Sequence, residues 1–345
     1  MAVASEKGSL LDQWLAKSAK EFIPLQASLE LTNRCNERCR HCYIPSFKDD
    51  PERILSQDQW FRILDQLREA GTLYLILMGG EAMLNPHFWS IAERAGSLGF
   101  HLSMITNGLL IRSEGVAQRL KDVGFSALTF SLYSLDPEIH DDLTRVKGSC
   151  EKTKRAIEFC KDAGIESYVN CLLTSKNAHT VFELYEWCVE RGLDAKVDPV
   201  VTSKFDGDLE PTLLRATKDQ LREFYLERAR RWPNSKPKGF ANQFEEYVCN
   251  AAKGKCAVTA YGDLLSCIEV REPLGNLAKD DFQTLWNSKI AEKWRNIKFR
   301  DLEDTPNGKA YNHCDHCPGM SCNEKGKAHS PVDFINELAE VKANL

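Results

Sequence analysis

Residues 26–42 read QASLELTNRCNERCRHC, a short β-forming run that breaks at once into a loop carrying Cys35, Cys39 and Cys42. A strand that empties straight into a chemistry-bearing loop is typical of parallel α/β sheets, whose sites gather at the carboxyl ends of the strands. Outward from this stretch, five further β-rich runs occupy 72–78, 101–106, 125–132, 165–173 and 193–201, with amphipathic helical stretches between them. The helices carry their own punctuation. Ser56 with Gln59 is a capping box, as is Thr217 with Gln220, and Gly71, Gly99, Gly124, Gly164 and Gly192 close successive helices. Six βα units predict an α/β fold, a partial (β/α)6 TIM-like barrel over 26–233. The loop 202–216 is long enough to serve as a lid.

Residues 1–25 have room for one amphipathic helix, near 10–22. After 234 the pattern changes to short strands around the turn Tyr261-Gly262-Asp263, one helix near 280–297 and a cysteine-rich tail. That predicts a small C-terminal α+β domain over 234–345. The 345-residue chain has 45 Lys and Arg against 50 Asp and Glu, a formal charge of −5. No stretch of sequence gathers the basic residues, so nucleic acid is not an expected partner. The longest apolar run, 73–78, is too short to cross a bilayer, and residues 1–8 hold no apolar signal core, so a cytoplasmic protein without membrane contact is expected. Thirteen cysteines agree with that, since a reducing compartment keeps thiols free or metal-bound. Cys150, Cys160, Cys171 and Cys188 sit singly within helix or strand patterns and read as small buried hydrophobes.

Three thiolates on one short loop can hold three irons of a cubane and leave the fourth open to a ligand, or, with His41 as fourth ligand, they can close a tetrahedral zinc knuckle. Strand two then ends in Gly79-Gly80-Glu81, two glycines that permit close backbone approach and a carboxylate that can receive an ammonium group. With Thr106-Asn107-Gly108 after strand three, Ser131 ending strand four and Arg145 within 143–148, the sequence resembles the radical S-adenosylmethionine (SAM) enzymes. That resemblance implies a [4Fe-4S] cluster on Cys35, Cys39 and Cys42 whose open iron chelates SAM. Glu81 would hold the methionine amino group, with Gly79, Gly80 and Thr106 in the same pocket. His41 and Tyr43 would lie against the adenine, Asn107 and Ser131 would reach ribose or carboxylate, and Arg145 would pair with the carboxylate. Asn170, mid-strand in an apolar run, would touch the cofactor or bond a neighbouring strand. One electron would cleave SAM to a 5'-deoxyadenosyl radical that removes a substrate hydrogen, with flavodoxin or ferredoxin as donor.

The tail, Cys249-x6-Cys256-x10-Cys267 and later Cys314-x2-Cys317-Pro-Gly-x2-Cys322, resembles the SPASM extension of such enzymes or its shorter relative, twitch. Two fully thiolate-ligated clusters need eight cysteines and the tail has six, so the resemblance implies one auxiliary [4Fe-4S] cluster on Cys249, Cys256, Cys267 and Cys317. Cys314 and Cys322 are then spare, or replace Cys317, or join Cys317 and one of His313, His316 or His329 at zinc. Peptide or protein modification is the substrate class the resemblance favours, with the auxiliary cluster relaying an electron. The alternatives are a small-molecule dehydrogenase, decarboxylase or mutase, and a non-catalytic iron-sulfur or zinc protein. Residues 1–25 cannot form the leader-recognition domain of many peptide maturases, which implies a separate recognition protein, or a leaderless or small substrate. On the last barrel strand, Lys196 and Asp198 share a face and are candidates for substrate contact or proton transfer.

Overall fold

A computed structural model describes residues 10–235, 237, 239 and 244–345. The six β-rich runs form strands β1 (Gln26–Glu30), β2 (Tyr74–Met78), β3 (His101–Thr106), β4 (Phe125–Ser131), β5 (Glu166–Leu172) and β6 (Asp194–Asp198). Each is parallel to the one before. Helix α1 (Leu10–Glu21) precedes them. The connections carry α2 (Gln57–Glu69), α3 (Phe88–Ser97), α4 (Glu114–Val123), α5 (Pro137–Thr144), α6 (Ser149–Asp162) and α7 (Val181–Glu190), and α8 (Lys218–Arg231) follows β6. Both capping boxes form as the sequence indicates, each hydroxyl accepting from the N3 amide while the glutamine reaches back. The parallel strands are clad by helices, so their apolar residues are buried between layers. Trp60, Phe88, Phe125, Phe130 and Phe224 are the largest side chains of that interior. Cys150, Cys160, Cys171 and Cys188 are fully buried in it.

The sheet continues past the barrel. Strand β7 (Lys255–Val258) adds in parallel to the free edge of β1, with Cys256 opposite Ala27, and β8 (Asp263–Cys267) and β9 (Val270–Asn276) follow antiparallel. The order is β6-β5-β4-β3-β2-β1-β7-β8-β9. An open edge at β1 would expose unpaired backbone groups, and the tail covers it. The helix expected near 280–297 is two, α9 (Phe282–Trp286) and α10 (Lys289–Arg295), because Ser288 starts a second helix by accepting from the Ala291 amide. The chain closes with α11 (Pro318–Lys325) and α12 (Asp333–Ala343).

Side-chain ties weld the tail to the barrel. Arg271 of β9 binds Glu30 of β1 through two bonds of 2.9 and 3.1 Å, with Glu30 buried, and its guanidinium lies over Phe205. The long loop 202–216 is pinned rather than free, since Arg215 reaches Glu324 of α11 at 2.5 Å and bridges to Thr174. Among the described residues no helix is long and apolar enough to cross a membrane.

Candidate active site

The loop after β1 is held by the end of a neighbouring helix. The last carbonyls of α5 have no partner within their own helix, and those of Leu143 and Thr144 accept from the amides of Arg40 and Arg38. Arg40 also grips Asp142 at 2.6 Å. Between these anchors Cys35, Cys39 and Cys42 face a cavity of about 340 Å³, within the size range of small-molecule sites, roughly 300–1,000 Å³. A broader depression of about 720 Å³ beside α7 and α8 holds no cysteine, so chemistry rather than volume selects the site.

Burial pushes the Cys35 thiol up to about 12 and Cys42 up to about 11, and raises Cys39 as well. Glu37 points inward between them, accepting from the Cys39 thiol at 3.2 Å, with its other oxygen buried and unpartnered. Burial raises its carboxyl to about 8. Three thiols and one unpartnered carboxyl oxygen thus face a single space, a donor set that can take a metal as thiolates. The donor set therefore fits an iron-sulfur cluster.

The Gly-Gly-Glu turn acts on this loop. Its Gly80 amide donates to Thr32 O and its Glu81 amide to Arg34 O. A Cβ on Gly79 or Gly80 would overlap the carbonyl oxygen of Thr32 or Arg34. The glycines thus let the turn press against the cysteine loop while lining the cavity. Gly80→Ala is expected to cost about 1–3 kcal/mol of stability by overpacking. Thermal unfolding and the iron content after reconstitution check it, since the cysteine loop must move aside.

Glu81 departs from the role expected of it. Its carboxylate is fully buried and accepts from the Thr106 hydroxyl at 2.9 Å, the Asn107 amide at 3.1 Å and the Met83 amide at 3.4 Å. It braces the β3 turn from behind and does not line the cavity. Gly79 and Gly80 line the cavity next to it.

Asn107 lines the cavity and donates to Asn36 at 2.7 Å. Ser131 and Asn170, paired in register on β4 and β5, line the same wall. His41 meets the edge of Tyr133 at 4.4 Å, and burial lowers its pKa to about 4, so it is neutral. Tyr43 packs on Phe205 with ring centres 4.6 Å apart. Arg145 is not in the cavity. It caps α5 in a left-handed conformation, φ 59°, and pairs loosely with Glu210 at 3.9 Å in solvent. Asp198 lines the cavity, whereas Lys196 is 73% exposed on the outer strand and reaches Asp198 at 2.8 Å. Tyr133, Glu37 and Glu269 are cavity residues that motif reading passes over. Tyr133 was within reach of the strand alternation, two residues beyond Ser131.

In the tail, Cys249, Cys267 and Cys317 lie within electrostatic reach of one another and of Glu269. Gly319 makes this possible, since a Cβ there would strike the Glu269 backbone, so α11 seats its first turn, with Cys317 as N-cap, directly on the β8–β9 turn. Cys322 and Cys267 each pack against the small cluster of Val270, Trp294 and Ile297. Cys256 stands apart from the set expected to include it: it is buried in the main core, and burial alone raises its thiol. Cys314 faces Asn336 of α12. Nε2 of His316 pairs with Ala328 O at 2.7 Å. Among the described residues no three His, Cys, Asp or Glu side chains converge closely enough to grip one ion.

A thiol triad on the loop after the first barrel strand, with a second cysteine set on the sheet's extension, fits a protein that holds iron-sulfur clusters. Residues 29–188 match the radical SAM superfamily and residues 249–318 match SPASM, an iron-sulfur cluster-binding domain. The chain belongs to the radical SAM superfamily and carries a C-terminal SPASM-type domain. It is 33% identical to the sporulation killing factor maturation protein SkfB of Bacillus subtilis (strain 168) over 185 residues, 53% of this chain and 44% of that protein. The match thus spans less than half of SkfB. An AdoMet-dependent heme synthase of Methanosarcina barkeri is 25% identical over 305 residues, 81% of this chain and 86% of that protein. Among solved structures, Streptococcus suis SuiB bound to the precursor peptide SuiA has the same fold, with TM-score 0.69 and 19% identity over 97% of this chain and 84% of that one.

Proposed function

We propose that this chain is a radical SAM peptide maturase that oxidises a side chain of a peptide substrate. The observation that carries the reading is the shared cavity, which starts at Cys35, Cys39 and Cys42 and reaches Ile268 and Glu269 beside the tail cysteines. A substrate atom there lies between two electron-handling sites. Cys35, Cys39 and Cys42 would hold a [4Fe-4S] cluster with SAM. Cys249, Cys267 and Cys317 would hold the auxiliary one. The bound cluster and SAM supply a 5'-deoxyadenosyl radical when one electron arrives. The chain's own residues do the rest: Ser131, Asn107 and Asn170 offer polar contacts, and Tyr43, Phe205 and Tyr133 wall out water that would quench a radical. The electron would come from a flavodoxin or ferredoxin.

SkfB is named for maturation and SuiB is seen with a precursor peptide, which supports the peptide reading. The heme synthase alignment, which spans most of that protein, favours a second reading, small-molecule chemistry. Anaerobically reconstituted protein given SAM, dithionite and a perdeuterated peptide mixture is expected to release 5'-deoxyadenosine carrying deuterium. Unlabelled 5'-deoxyadenosine together with heme formation in extract would establish the second reading instead.

A further inference from the structure

We propose that a basic groove on the outer side of the cysteine loop is the docking site of the acidic one-electron carrier that feeds the Cys35–Cys39–Cys42 cluster. This rests on the reading of that loop as a cluster site. The groove, about 460 Å³, runs between the turn after β3 and helix α6. Arg112, Lys152 and Arg155 line it and all three are exposed. Among the described residues none of the three is ion-paired with an acidic side chain, and no acidic residue lines the groove. Its floor is apolar, with Leu109, Ile111 and Phe159. In a chain of net charge −5, three unpaired cations around an apolar floor form a local positive field.

Its place is what assigns the partner. Asn36, the residue after Cys35, lines the groove, and its Oδ1 lies 3.9 Å from the Cys35 sulfur. The same Oδ1 accepts from Asn107 Nδ2, and Asn107 lines the active cavity. The wall between the groove and the cysteines is therefore one residue thick. Electron transfer falls off steeply with distance, so a carrier seated here would sit close to the cluster without entering the space kept for SAM and substrate. Redox encounters are small and transient, and charge complementarity governs their on-rate more than their affinity. An acidic flavoprotein or iron-sulfur protein has the complementary surface. The three cations come from two separate segments, 112 and 152–155, so no run of sequence announces them.

The test compares two reductants on the reconstituted holoenzyme with SAM, using 5'-deoxyadenosine as readout. Reduced flavodoxin is the protein donor and dithionite the chemical one. The variant is R112E/K152E/R155E. The dithionite-driven rate is expected to stay within about twofold of wild type, while the flavodoxin-driven rate falls by at least about tenfold, the low end of electrostatic steering effects. Raising salt to about 0.5 M should slow the flavodoxin-driven wild type in the same direction and, by screening the repulsion its glutamates create, leave the variant's rate unchanged or raised. An unchanged flavodoxin-driven rate in the variant overturns the proposal, and if the variant instead loses peptide affinity the groove belongs to an acidic peptide. An equal fall with both reductants also overturns it, because the cations then serve the fold or SAM. No 5'-deoxyadenosine from wild type with dithionite would instead sink the radical SAM activity itself, an outcome separate from these.

Discussion

A Cys39→Ala protein is expected to release no detectable 5'-deoxyadenosine, with Cys35→Ala and Cys42→Ala behaving alike. The three thiols share one loop and one cavity, and each would supply one corner of a cubane. Losing any of them leaves a corner unheld, at a site whose carboxyl neighbour, Glu37, is buried and only half satisfied. Iron should fall from about eight to about four per chain, the content of one remaining [4Fe-4S] cluster. The loop's anchors to α5 are backbone bonds, so the fold is expected to survive and circular dichroism should be unchanged. Cys160→Ala is the matched control, a core thiol whose loss costs about 1 kcal/mol and no iron. A triple alanine variant that still made 5'-deoxyadenosine would refute the assignment.

What sequence could reveal divides along local and non-local lines. Strands β1 to β6 and both capping boxes follow from periodicity and spacing within a few residues, and they appear where that spacing puts them. The cysteine triad is also local. The docking of β7 on β1 is not, because it joins residues 26–29 to 255–258, and nothing in either run names its partner. The orientation of Glu81 was hidden for a related reason: which way a buried acid turns depends on the amides around it, here those of Met83 and Asn107. The placing of Arg145 is non-local too, since it caps α5 with a left-handed backbone and its guanidinium pairs with Glu210 on the loop 202–216. Glu269 escaped notice because its neighbour across the cavity is a barrel loop more than two hundred residues away.

The same non-local pairing makes a prediction about the tail that the family resemblance would reverse. The resemblance groups Cys256 with Cys249, Cys267 and Cys317, yet β7 sets Cys256 opposite Ala27 and buries it in the barrel's core. Cys256→Ala is therefore expected to keep about eight irons and full turnover, at a cost of about 1 kcal/mol from the small cavity left behind. Cys267→Ala and Cys317→Ala should each fall to about four irons, because these two thiols meet where α11 seats on the β8–β9 turn. Cys322 packs against the same Val270, Trp294 and Ile297 cluster as Cys267 and is offered as the fourth ligand, so Cys322→Ala is expected to lose the same cluster. The three cluster-losing variants should still cleave SAM, since the triad is intact, while product formation stops for want of an electron acceptor. Iron content and 5'-deoxyadenosine measured on the same preparations check both halves. A Cys256→Ala protein with only four irons would mean that β7 leaves the β1 edge when the cluster is built, which would undo the nine-stranded sheet as the frame of the site.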